Sequence, residues 1–299
     1  MPEIATPVEL PHGATAREVL ARLTVPERDA AEIVELIPSV EGHPALRPRL
    51  QAECARLIDA IGSLDPLPGS PDMPAEYGAA GRYFYVFVFL GVLPYVRRFH
   101  AERGISDAIS WASLADLGEE VALYRREYGV GGLRTQSWLV HHLRGVLYRL
   151  GRLQFNLSRQ DGAHVLDTHI PEWGEPFTEA ACDASFAAAR PFFEAHFPEH
   201  GARIAVCTSW MLDPQLADYL SATSRILAFQ RRFTLYDDPL EPAEHGRTVG
   251  DRSVLGFVFH QPGVPLDELP QDTTLQRAAV AHIRAGRHWA QRSGWLSLP

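Results

Sequence analysis

Residues 148–170 read YRLGRLQFNLSRQDGAHVLDTHI, and the reading of this stretch decides the fold. From Tyr148 to Leu157 the run is apolar, with Arg149, Arg152 and Gln154 interleaved; His164 to Ile170 alternates again. Alternation with a period of two marks a half-buried strand. The polar turn Ser158–Gly162 lies between the runs, so the two are expected to pair as a hairpin. Working toward the C-terminus, Pro171–Pro176 reads as a loop, and Thr178 caps a helix that continues to Phe197. Arg203–Met211 reads as a strand, and Asp213 or Pro214 opens a short helix to Leu220. Arg225–Tyr236 is expected to be a long strand, Val254–Phe259 the last strand and Thr273–Gly286 the last helix. The expected order is β-β-α-β-α-β-β-α, a mixed sheet with helices.

Upstream of the hairpin the pattern is helical. Thr15 with Glu18 suggests a capping box for a helix ending near Leu23. Ala30, Ile33, Val34 and Ile37 share one helical face, as do Ala52, Ala55, Leu57, Ile58 and Ile61. A Pro- and Gly-rich loop covers Gly62–Pro74, and Ser110 or Ser113 is expected to cap a helix to Tyr128. The most apolar run, Tyr83–Val96, contains Pro94 and is shorter than the roughly 20 residues that cross a bilayer. It is expected to be a buried core helix. Gly129, Gly131 and Gly132 mark the break between the halves. The fold class is therefore α+β, with an all-helical N-terminal domain over 1–135 and a mixed α/β domain over 136–299.

The composition narrows the class of function. The chain has 299 residues with 46% hydrophobic and 22% charged residues, ample for a buried core. The formal charge of -9 argues against nucleic acid or an anionic membrane as the partner, because both need a basic footprint. All 28 basic residues are Arg, which excludes Schiff-base lysines and a P-loop. Cys54, Cys182 and Cys207 are too dispersed for a disulfide framework, and Met1–Pro11 lacks a signal-peptide pattern. A cytoplasmic location is the expectation. No metal is expected: His141 and His142 diverge by about 100° on a helix, and His164 and His169 face opposite sides of a strand.

The predicted order matches the later part of the GNAT acyltransferase fold. The stretches Gly151-Arg152-Leu153-Gln154-Phe155, His169-Ile170-Pro171-Glu172 and Cys207-Thr208-Ser209-Trp210-Met211-Leu212-Asp213-Pro214 resemble bacterial, mostly actinobacterial, acyltransferase-domain proteins. Those pair a helical N-terminal domain with a GNAT-like C-terminal domain. Phe229-Gln230-Arg231-Arg232-Phe233 and the run Leu269–Arg277 are similar to the same group. The resemblance implies transfer of an acyl group from acetyl-CoA or another acyl-CoA to an amine. It implies a pyrophosphate at a helix N-terminus, a base for the attacking ammonium and a donor for the leaving thiolate.

On that reading Glu172, at the end of the second hairpin strand, is the base, with His169 as the other candidate. Tyr219 is the acid, on the helix after the strand. Cys207 and Ser209, two apart and on one strand face, are candidates to line the acyl pocket or donate the proton. Trp173 and Gly174 would lie beside the cofactor, and one of Arg231 and Arg232 would help hold phosphates. One segment departs from the family pattern. Where the family has a loop of the form Arg/Gln-x-x-Gly-x-Gly/Ala, this chain has Pro171-Glu172-Trp173-Gly174-Glu175-Pro176, with one glycine and two acids. The sequence therefore leaves open a second reading, a GNAT-fold ligand-binding or regulatory protein without transfer chemistry.

Overall fold

Apolar residues spaced three and four apart build the first half of the chain into helices. In a computed structural model that describes residues 7–237, 244, 246–261 and 264–299, these are α1 (Gly13–Arg22), α2 (Glu27–Gly42), α3 (Leu46–Asp59), α4 (Gly78–Arg82), α5 (Phe84–Glu102), α6 (Asp107–Leu114), α7 (Asp116–Tyr128) and α8 (Gln136–Leu143). They belong to the first of two compact units, Met1–Arg149 and Leu150–Pro299. The helix α5 is the centre of the first unit: every residue from Phe84 to Leu93 is buried, so it is apolar all round because it is surrounded. Each such Phe, Val or Leu contributes about 1.5–3 kcal/mol on burial. Gly91 permits the close approach of its neighbours, since a Cβ there would stand 2.8 Å from Val8 Cγ1 and 2.9 Å from Cys54 Sγ.

The expected single helix over Ser110–Tyr128 is two, broken at Ala115, and its cap is Ser106, whose Oγ accepts from Ile109 N. Ser110 and Ser113 do not cap because their hydroxyls are used inside, on His100 Nδ1 at 2.7 Å and the Ile109 carbonyl at 2.8 Å. The expected cap at Thr15 also moves, since α1 starts at Gly13.

The sheet comprises β1 (Leu147–Leu150), β2 (Leu153–Gln160), β3 (Ala163–His169), β4 (Ile204–Ser209), β5 (Thr234–Leu235) and β6 (Arg292–Ser297), in the order β1-β2-β3-β4-β6-β5. The expected hairpin is β2 and β3, antiparallel from Gln154 opposite His169 to Gln160 opposite Ala163, but the run Tyr148–Leu157 breaks at Gly151 and Arg152 into β1 and β2, and Ser158–Gln160 belong to β2 and not to the turn. The helix α9 (Glu179–His196) follows, capped by Thr178, whose Oγ1 accepts from Ala181 N at 3.2 Å.

Further on, three readings are corrected. Arg225–Tyr236 is a helix, α10 (Arg225–Gln230), followed by the short β5. Ser224 Oγ accepts from Ile226 N, and Leu227, Ala228 and Phe229 are buried together, so a local cap and packing outweigh strand propensity. Val254–Phe259 belongs to α11 (Val249–Phe259), started by a capping box between Thr248 and Asp251. A short apolar run does not separate strand from buried helix by periodicity. The true last strand is β6, after α12 (Thr274–Arg284), where Gly294 admits Phe233 Cβ and Thr234 O at 3.1 Å from the position a Cβ would take. The observed order from β1 is β-β-β-α-β-α-β-α-α-β. The α+β class stands.

One feature of the sheet positions the site. Strands β3 and β4 are parallel, and their ladder takes in Leu166 with Ala205 and Asp167 with Val206. Beyond it β3 continues to His169 and β4 to Ser209, so the two part toward their C-terminal ends.

Candidate active site

The parted strand ends give backbone N–H and C=O groups an open edge at the carboxyl end of a sheet, where crossover topologies place ligands. On the β3 side, His169 is half-buried at the last ladder position opposite Gln154. The chain then turns through 170–177, with Ile170 and Phe177 packed into an apolar cluster that includes Trp210, Met211, Leu216, Val254 and Trp289. Glu172 Oε2 lies 3.3 Å from Nε2 of His260, the left-handed residue that ends α11, so this carboxylate ties the loop to α11. Trp173 is exposed, and Gly174 has φ +107, a conformation that favours glycine.

Two guanidinium groups flank the first turns of α9. Arg232 forks onto Asp183 Oδ1 at 2.7 and 2.9 Å and donates to the Glu179 carbonyl at 3.1 Å. The buried Arg152 stacks over Phe177 at 5.1 Å. Burial raises the Cys182 thiol pKa, and the charges of Arg232 and Arg152 pull it back, which places both cations near the start of α9. A helix N-terminus with neighbouring arginines favours an anion. Arg231 sits with Arg232 at the end of α10, where a strand was expected, and it donates to the Ala222 carbonyl at 3.2 Å. Of the pair, Arg232 is the one that reaches α9.

On the β4 side, Cys207 is buried opposite Gly294, and burial pushes its thiol up to about 12. Such a thiol is not a nucleophile at neutral pH. Ser209 Oγ accepts from Met211 N at 3.1 Å and so starts the turn that leaves the strand. Asp213, 1% exposed, accepts from Gln215 N at 2.9 Å, Gln215 Nε2 at 3.1 Å and Ala290 N at 2.6 Å. Tyr219 does not lie on an α-helix as expected; it ends the 3-10 turn Pro214–Asp218. Its hydroxyl meets His282 Nδ1 at 3.1 Å and the Arg287 guanidinium, and Arg287 in turn pairs with Asp218 at 3.1 Å. Burial lowers the pKa of His282, which stacks on Trp289 at 3.9 Å. A neutral imidazole there can accept the phenol proton while Arg287 donates to the phenol oxygen.

Sequence reasoning missed Arg152, Asp213, and the pair Asp251 and His288. Asp251 is fully buried; its Oδ1 accepts from Trp289 N at 2.9 Å, and its Oδ2 from Thr248 N at 3.1 Å, with His288 Nδ1 at 2.7 Å. The Thr248-x-x-Asp251 spacing was the available signal. Among the described residues no group of three or more His, Cys, Asp or Glu is placed to hold a metal. His142 is buried 3.3 Å from Asp116, and His164 stacks on His200.

Comparison with known proteins fits this geometry. Residues 14–145 match the N-acyltransferase N-terminal domain family and 147–296 the GNAT-like C-terminal domain family. No curated protein matches the chain. Solved structures do: an acyltransferase mutant in complex with octanoyl-CoA and an acyltransferase in complex with decanoyl-CoA and teicoplanin are each 52% identical, over 99% of this chain and 91% of theirs, with TM-scores of 0.94. An acyltransferase in complex with decanoyl-CoA is 49% identical over the same shares, with a TM-score of 0.92. The chain belongs to the N-acyltransferases that join an N-acyltransferase N-terminal domain to a GNAT-like C-terminal domain.

Proposed function

We propose that the protein transfers a medium-chain acyl group from acyl-CoA to an amine of a glycopeptide. The observation that carries this is the parting of β3 and β4 beside α9, in a chain half identical to acyltransferases solved with octanoyl-CoA, decanoyl-CoA and teicoplanin. The free edge of β4 from Cys207 to Ser209 pairs with the amides of the pantetheine arm, as an added strand would. The pyrophosphate lies at the start of α9. There Arg152 and Arg232 supply the charge that a Gly-x-Gly loop would supply through backbone N–H groups. Trp173 and Gly174 border the cofactor, and Glu172 fixes their loop through His260. His169 and Ser209, at the two strand ends, flank the thioester. Tyr219 gives its proton to the leaving thiolate and is re-protonated through His282.

The test is calorimetric titration with decanoyl-CoA, octanoyl-CoA and acetyl-CoA, followed by mass spectrometry after adding a teicoplanin core that bears a free amine. Micromolar binding, about -8 kcal/mol, and an acylated product are expected. Folded protein that binds none of the three thioesters overturns the reading and leaves the ligand-binding alternative.

A further inference from the structure

A histidine whose Nδ1 is held by a buried carboxylate, and whose other nitrogen faces solvent, is oriented to accept a proton there. His288 has this arrangement. Its Nδ1 lies 2.7 Å from Oδ2 of the fully buried Asp251, while its own side chain is 42% exposed. Backbone hydrogen bonds fix Asp251 in turn: Trp289 N donates to Oδ1, and Thr248 N to Oδ2. Thr248 closes the frame by donating to the Trp289 carbonyl at 2.6 Å. His142 also meets a carboxylate, Asp116, but it is fully buried and reaches no substrate.

The place of His288 in the sheet gives the pair a role. β6 runs antiparallel to β4 with Arg292 opposite Ser209, so residues 288–291 enter the sheet beyond the C-terminal end of β4. That is the end at which β3 and β4 part. Two bonds peg this entry to the chain leaving β4: Gln215 Nε2 donates to the His288 carbonyl at 2.9 Å, and Ala290 N donates to Asp213 Oδ2 at 2.6 Å. The ionisable groups on the packed elements are Asp251 from α11, Asp213 and Asp218 from the chain after β4, His282 and Arg287 from α12 and its exit, and Arg292 from β6. Of the two earlier candidates for the base, Glu172 holds His260, and His169 has its Nε2 buried, whereas the His288 side chain is 42% exposed.

We propose that His288, oriented by Asp251, is the general base of acyl transfer; the assignment rests on the function proposed above. His288 Nε2 takes one proton from the acceptor ammonium and passes it to solvent. The freed nitrogen lone pair forms the C–N bond at the thioester carbonyl. When the tetrahedral carbon collapses, the C–S bond breaks, Tyr219 protonates the thiolate sulfur, and the second proton leaving nitrogen restores the Tyr219 phenol by way of His282. The products are the amide and free CoA thiol. Asp251 is a positioning residue that keeps the imidazole Nδ1–H turned inward and Nε2 outward.

The experiment compares wild type, His288→Gln and His288→Ala with decanoyl-CoA and a free-amine teicoplanin core, following thiol release from pH 6 to 10. His288→Gln is expected to lower kcat about 10²–10³-fold at pH 7 with unchanged decanoyl-CoA affinity. The deficit shrinks as pH rises, because solvent then deprotonates the amine without help. Added imidazole is expected to restore part of the rate to His288→Ala. A deficit that is flat with pH and unmoved by imidazole, or kcat/KM within threefold of wild type, overturns the proposal while leaving acyl transfer intact. Wild type that makes no amide takes down the function reading and this one with it.

Discussion

Asp29 in the helical unit and Asp251 in the sheet unit are both fully buried carboxylates, and the chain uses them in opposite ways. Asp29 is enclosed by side chains: Tyr83 donates to it at 2.6 Å, and Arg125 Nε lies 3.0 Å from both of its oxygens. Glu32 Oε2 lies 2.9 Å from both Arg125 Nη2 and the Tyr83 hydroxyl, whose one proton the two carboxylates share, and Arg125 Nη2 donates to the phenol oxygen at 3.1 Å. Burial, joined by both carboxylates, raises the Tyr83 pKa and keeps the phenol a donor. Asp251 instead collects backbone N–H groups and spends its last interaction on a half-exposed imidazole. A buried carboxylate answered only from inside acts as a staple; one that reaches an open ring transmits its charge to a surface.

The largest expected effect is on the staple. Asp29→Ala leaves Arg125 and Tyr83 with a broken buried pair and is expected to cost about 3–5 kcal/mol in urea unfolding. Asp251→Asn removes the charge and replaces one of the two accepting oxygens with an NH2 donor, and is expected to cost about 2 kcal/mol. Its distinguishing effect is on rate: kcat falls at least tenfold at pH 7, while folded Asp29→Ala protein keeps wild-type turnover per folded molecule. Equal loss of turnover in the two variants would erase the difference between staple and transmitter.

Within the helical unit, buried groups meet acid in opposite senses. Burial, with the charges of Arg97 and His142, pushes His100 down to about 3, and burial with the charges of His142 and Arg144 pushes His141 down to about 4. Their unfolded forms bind protons below pH 6.5 while the native forms do not. Stability therefore falls as pH drops, by about 2 kcal/mol for His100 between pH 6.5 and 5. Glu120 acts in the opposite sense. Burial lifts it to about 7, so between that pH and its unfolded value the native carboxyl holds the extra proton and gains stability as pH falls. Glu120→Gln removes this offset, and its urea midpoint is expected to drop more steeply than wild type from pH 7 to 5. Parallel midpoint curves would mean that Glu120 is not compensating the histidines.

How much the sequence disclosed follows the same division. The apolar run at Tyr83–Val96 identified α5, because a helix that is buried all round needs no cap or partner to be recognised. The β2–β3 hairpin and α9 were legible for a similar reason: alternation and the Thr178 cap are local signals. What stayed hidden depends on distant chain. Leu227 and Phe229 face a helix core through a cap at Ser224, and β6 is a strand because β4 and β5 pair with both of its edges. The site residues split in the same way. Glu172 and Tyr219 stood out through the family resemblance and Ser209 by its place on a strand with Cys207, whereas Asp251 and His288 meet across a separation of 37 residues, and no spacing rule connects them.

Glu172 supplies the smallest and sharpest test. Its carboxylate is 34% exposed beside His260, and such a pair contributes about 0–1 kcal/mol. Glu172→Gln is therefore expected to leave the melting temperature within about 2 °C of wild type. If Glu172 only fixes the 170–177 loop, the variant weakens decanoyl-CoA binding a few-fold and keeps the wild-type shape of the pH–rate profile. Were Glu172 the base, as its place after β3 first suggested, the same substitution would abolish the rise of rate with pH and leave His288→Gln nearly as active as wild type. The two substitutions, run side by side, assign the proton to one end of the parted strands or the other.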